Sequence, residues 1–140
     1  MLIIGSLALS KFIPGIFPKD VDVIVLPSEV ETSQVVMENC FGVPLEITEA
    51  QPDSSDEDIL KLHRGAGFAS LDTLYWLKMS HRYKKDSVHF QKTRNDIFKM
   101  REIYPFLRTN PEPPWFKKRE AETYTKTPRL NVSKEQFFDS

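Results

Sequence analysis

The chain contains one cysteine, Cys40, among its 140 residues. An internal disulfide is therefore excluded, and a reducing cytoplasm fits best. Long apolar runs are also lacking. The most apolar stretch, MLIIGSLALSKFIPG, is interrupted by Lys11 and Pro14 and has no basic leader or clear cleavage site. It is too short to span a bilayer and reads as a first strand and first helix, not as a secretion signal. Charge of one sign is nearly absent in sum. The formal net charge of −1 gives no global pull toward nucleic acid or membrane, although a basic patch can sit inside that balance. There is no Gly-x-Ser-x-Gly, no P-loop and no dinucleotide fingerprint. Three histidines and one cysteine do not complete a zinc pattern. His63 stands isolated, and Cys40 reads as buried and inert.

What remains is a chain long enough for one domain with a sizeable core. Leu2–Ile4 is a short apolar strand ending at Gly5-Ser6. LALSKFI follows with helical spacing until Pro14 and Gly15 break it. Asp20–Leu26 is the second strand. Ser28 with Glu31 forms a capping-box pattern for a helix that ends at Gly42. Val43–Ile47 is the third strand. QPDSSDED is a polar turn, and ILKLHRGAG suits either a strand or a short helix. Ser70 caps a helix over LDTLYWLKMSHRYKK, and QKTRNDIFKMREIY is a further helix with Ile97, Met100 and Tyr104 on one face.

From Pro105 the texture changes. This stretch carries half of the ten prolines and no glycine. It reads as an extended or partly helical tail, with Trp115, Phe116, Leu130, Phe137 and Phe138 as anchors and Ser133 with Gln136 as a last cap. The order of elements gives an α/β (α+β) fold: a small mixed sheet, then an α-helical half, then the tail. The expected organisation is one domain over 1–104, with its core in 1–50 and its helical half in 54–104, followed by a docking tail over 105–140.

The chemistry gathers around KDVDVIV. A strand alternates its side chains, so Asp20 and Asp22 share one face and Val21, Val23 and Val25 the other. Two carboxylates side by side repel, and a proton, an arginine or a divalent ion must neutralise them. Fourteen residues earlier, Gly5-Ser6 opens a helix, where unpaired N–H groups suit a phosphate. Glu46, on the third strand, offers a third carboxylate, with Glu49 as its competitor. Three carboxylates on adjacent strands can hold two Mg²⁺ ions and clamp a triphosphate. The alternative is a polar strand edge that faces solvent.

In the helical half, Lys78, Arg82 and Lys85 fall near one helical face, and His89, Lys92 and Asp96 near another. They form either a basic wall for a triphosphate or polynucleotide, or a solvated face with local ion pairs. His81 suits a hydrogen-bonding position in a cleft. Tyr75, Trp76 and Tyr83 can stack on a base, but aromatics at helical spacing are more often core.

The pieces LIIGSLALS, KDVDVIV and PLEITEA resemble, in order and spacing, the nucleotidyltransferase superfamily. That group includes DNA polymerase beta and the minimal nucleotidyltransferases of bacteria; the helical half also looks like the C-terminal part of small nucleotidyltransferase-like proteins of bacteria and their viruses. The resemblance implies Asp20, Asp22 and Glu46 as catalytic residues and ligands of Mg²⁺ or Mn²⁺. It implies Gly5 and Ser6 at the phosphates of an NTP; from the helical half, Lys78, His81 or Lys92 is the expected further nucleotide contact that neutralises the triphosphate. The implied reaction moves a nucleoside monophosphate to an acceptor hydroxyl on nucleic acid, protein or a small molecule. The rival reading keeps the fold as a module that binds nucleotide, nucleic acid or a partner protein without turnover. No membrane role is expected, and an oligomer or partner chain is compatible with either reading.

Overall fold

The computed structural model describes residues 1–41 and 44–139, and for 36–41 the backbone alone. The expected helix end at Gly42, the strand start at Val43 and the burial of Cys40 lie outside the described residues.

The fold is mixed α+β. Its strands are β1 (Leu2–Ile4), β2 (Val21–Val25), β3 (Leu45–Glu49) and β4 (Gly67–Phe68), in the order β3-β2-β1-β4. β1 runs antiparallel to β2, while β2–β3 and β1–β4 are parallel pairs. The central position of β2 explains its sequence. A strand paired on both edges and packed on its faces needs a near-continuous apolar run. Val21, Val23, Ile24 and Val25 are all at most 1% exposed, and Asp22 alone in this strand is not buried.

The helices are α1 (Gly5–Leu9), α2 (Val30–Phe41), α3 (Ser55–Leu62), α4 (Leu71–Ser80), α5 (Phe90–Ile103), α6 (Phe116–Lys126) and α7 (Lys134–Asp139). α1 continues as tight turns to Ile13, burying Ala8, Leu9 and Ile13. A 3₁₀ turn over Pro27–Glu29 occupies the expected Ser28 cap, so α2 starts at Val30. α3 settles the ambiguous ILKLHRGAG in favour of helix over its first part. Its cap is Ser54, whose hydroxyl accepts from the Glu57 N–H at 3.2 Å, while the Glu57 carboxylate accepts from Lys61. The Lys61 hydrogen bond, followed by that from the Asp53 N–H, lowers the Glu57 pKa.

The chain divides into two compact units, Met1–Leu74 and Tyr75–Ser140, with α4 running through the division. The sequence reading drew its boundary at Tyr104 instead. The packing of the second unit gives the reason. Phe116 meets Trp76 edge-on at 4.8 Å between ring centroids, and Phe137 meets Phe90 at 5.4 Å. Trp115 is 4% exposed and Phe116 and Phe137 are fully buried. The proline-rich segment therefore supplies core to the second unit, offsetting its own ordering entropy. Ser133 and Gln136 form the expected reciprocal cap of α7, at 3.2 Å in both directions.

α4 ends five residues earlier than its pattern suggests. After Ser80 the chain turns so that Tyr83 bridges Asn131, and Lys84 and Val132 donate backbone hydrogen bonds to Leu130 and Arg82. Arg82 is 3% exposed, so it belongs to no solvent-facing basic wall. Its guanidinium donates to the carbonyls of Met79 and Val132 and to Glu120 at 2.5 Å. Among the described residues, no helix is long and apolar enough to cross a membrane.

Candidate functional site

The register of the sheet builds the site. Ile4 of β1 lies opposite Asp22 of β2, and Asp22 lies opposite Glu46 of β3. Directly paired residues project to the same face, and Asp20 shares that face by its two-residue offset. Asp20, Asp22 and Glu46 consequently each offer a carboxylate oxygen within 4.8 Å of the others. Asp20 and Asp22 are half-buried and Glu46 is exposed. Glu49 lies opposite Val25, three residues on from Glu46, and so points to the other face. The competition between the two glutamates is resolved by register.

Gly5 follows Ile4 and completes the corner. It has φ +66°, and a Cβ there would sit 2.2 Å from Asp22 Oδ2 and 3.0 Å from its Cγ. Glycine is required twice over, by the left-handed backbone and by the approach of the carboxylate. Ser6 is the next residue, in the first turn of α1. The first unit thus brings together Gly5, Asp20, Asp22 and Glu46, with Ser6 adjoining in sequence. Three carboxylates this close repel. At 4.8 Å each charged pair costs about 1 kcal/mol in water and roughly 3 kcal/mol at an effective dielectric constant of 20. A divalent cation with oxygen ligands would reverse that sign.

Lys78, His81 and Lys92 belong to the second unit. Lys78 Nζ pairs with Asp96 at 2.9 Å. Lys92 is exposed on α5. His81 is half-buried, and burial holds its pKa down at about 4, with the cations of Arg119, Lys78 and Lys126 adding to the effect. Its imidazole is therefore neutral at pH 7. Tyr75 and Trp76 are core, 1% and 5% exposed, as the helical spacing suggests. His63 is not isolated. Its Nδ1–H donates to the Ile59 carbonyl at 2.8 Å, and its Nε2 accepts from the Ser70 N–H at 3.1 Å, which fixes the tautomer.

A charge division also escaped the sequence reading. Residues 1–74 hold 12 Asp/Glu against 4 Lys/Arg, and residues 75–140 hold 15 Lys/Arg against 8 Asp/Glu. A running charge count along the chain would have exposed it behind the near-zero total.

Residues 73–140 match a family model described as a domain of unknown function, DUF7275. That match begins within two residues of the second unit. No curated protein and no solved structure matches the chain.

Proposed function

We propose that the chain transfers a nucleoside monophosphate from an NTP to an acceptor hydroxyl, using Mg²⁺ or Mn²⁺. The observation that carries this reading is the convergence of Asp20, Asp22 and Glu46 on one sheet face, within 4.8 Å, beside Gly5. The donor set fits the metal. Magnesium takes hard oxygen ligands and keeps open positions for substrate phosphates, and three carboxylates with no nitrogen or sulfur donor meet that demand. When bound, the ions supply charge neutralisation for the phosphates and polarise the attacking oxygen.

The protein residues have distinct parts in this scheme. Asp20 and Asp22 hold the ions. Glu46, the most exposed of the three acids, orients the acceptor hydroxyl and draws off its proton. Gly5 leaves room for the Asp22 carboxylate to lie against the backbone at this corner, and Ser6 offers the outgoing phosphates a hydroxyl donor. Lys78 and Lys92 belong to the second unit, where Lys78 is paired with Asp96. His81, neutral at pH 7, can serve as a hydrogen-bonding group but not as a counter-charge.

One observation favours the rival reading, a module that binds nucleotide, nucleic acid or a partner without turnover. Lys78 and Arg82, two cations expected to neutralise a triphosphate, are engaged by Asp96 and Glu120. Pyrophosphate release separates the two readings. The parent chain, given each NTP with Mg²⁺ or Mn²⁺ and RNA, DNA, protein and small-molecule acceptors, is expected to release pyrophosphate, and Asp20→Asn and Asp22→Asn to abolish it. Nucleotide binding with no pyrophosphate from any combination would support the module and overturn the enzyme.

A further inference from the structure

The segment between α4 and α5 turns Arg82 inward and leaves several of its other side chains outside the core of the second unit. It contains three aromatic rings in a row. His81 and Tyr83 lie 6.4 Å apart between ring centroids at an interplanar angle of 28°, and Tyr83 and His89 lie 5.3 Å apart at 45°. None of the three is buried, unlike Tyr75 and Trp76 just before them. Lys84 and Lys85 are exposed within this row, and Asp86 is the one acid between His81 and Lys92. Tyr83, Lys84 and Lys85 also line one side of an open groove of about 580 Å³, whose other side is Asn131, Val132 and Gln136 with the acids Glu135 and Asp139. The unit that carries this row has seven more Lys/Arg than Asp/Glu.

We propose that the His81–Tyr83–His89 row with Lys84 and Lys85 is a binding surface for single-stranded nucleic acid. Single strands combine two demands that this surface meets together. Their bases expose flat faces that stack on aromatic rings, and their phosphates attract a nearby line of cations. A duplex hides its base faces and would use the lysines alone. A membrane would use the lysines and need an apolar anchor instead of a ring row. The pKa of His81 is held down to about 4. Burial is its first cause, and the cations of Arg119, Lys78 and Lys126 then add a local positive potential around a ring that stays neutral. This surface lies wholly in the second unit and does not depend on the metal chemistry proposed for the first.

Fluorescence anisotropy with the full chain tests the proposal. The probes are a labelled 20-nucleotide thymidine oligomer, a duplex of equal length, and phosphatidylserine–phosphatidylcholine vesicles, at 50 and 200 mM NaCl. The single strand should bind most tightly, and its affinity should fall as salt rises. Tyr83→Leu, which keeps apolar bulk without the ring, should weaken single-strand binding roughly 5- to 100-fold and duplex binding much less. Lys84→Gln with Lys85→Gln, both exposed side chains, should reduce the slope of log affinity against log salt by about 1.4. This double variant keeps the test alive should Tyr83→Leu fail to fold. Absence of single-strand binding at 50 mM NaCl, equal or tighter binding of duplex or vesicles, or an unchanged salt slope in the lysine variant would overturn the proposal.

Discussion

The two units treat charge in opposite ways. In the first, three carboxylates are gathered at one corner of the sheet and held within 4.8 Å of one another. In the second, cations predominate, yet key ones are answered locally: Arg82 by Glu120, Lys78 by Asp96 and Lys134 by Glu112. The contrast separates two uses of an ionic side chain. Arg82 is buried and fully engaged, so it fixes where α4 ends and how residues 130–132 dock. The acid cluster instead gathers like charges on one face of the sheet.

Three variants would break or sharpen that contrast. The largest effect belongs to Arg82→Ala. Removing the buried guanidinium takes a donor from part-exposed Glu120 and from the Met79 carbonyl, while the Val132 carbonyl keeps the Tyr124 hydroxyl, and should cost about 3 kcal/mol. Urea denaturation should show that loss, and a loss under 1 kcal/mol would place Arg82 among the dispensable surface ions. Next is the acid response of His81. Its folded pKa, about 4, lies below the ordinary value of 6.5. Between those values the unfolded chain binds the extra proton, so stability is full above pH 6.5 and declines as pH falls toward 4. The linked change is about 3 kcal/mol. His81→Gln should flatten that part of the stability–pH curve, and an unchanged curve would show that His81 does not carry it. The smallest effect on stability, about 1–2 kcal/mol, is expected of Gly5→Ala, from the left-handed backbone. Its effect on the site should be far greater, because the new methyl must push the Asp22 carboxylate aside. A variant that retains the full response to divalent metal would show that Gly5 matters only to the turn.

Much of the first unit is legible in the sequence. β1 was bounded to the residue, β2 to within one residue at each end, and the shared face of Asp20 and Asp22 follows from strand alternation alone. The choice of Glu46 over Glu49 was not legible, since it depends on how β3 registers against β2. The Asp22–Gly5 approach was equally hidden, because it joins residues 17 apart through strand pairing. The local signals were sound at Ser70 at the end of the first unit and at Ser133 and Gln136 in the second, where a cap is decided within four residues. The end of α4 was missed because a distant segment, residues 130–132, captures the chain after Ser80. The boundary at Leu74 was missed for the same kind of reason. Phe116 and Phe137 take their partners from α4 and α5, and no pattern within the tail reveals that.

The most direct test of the account is thermal unfolding of the parent and of Asp22→Asn, each in EDTA and in Mg²⁺ with saturating NTP. In EDTA the variant should melt at or slightly above the parent, since one of three crowded charges is gone. With Mg²⁺ and NTP the parent should gain about 2.7 kcal/mol at a ligand concentration 100 times Kd. The variant should gain nothing measurable, because the ion has lost one of the two aspartates that hold it. An identical gain in both proteins would contradict the account and leave Asp20, Asp22 and Glu46 as no more than a polar edge of the sheet.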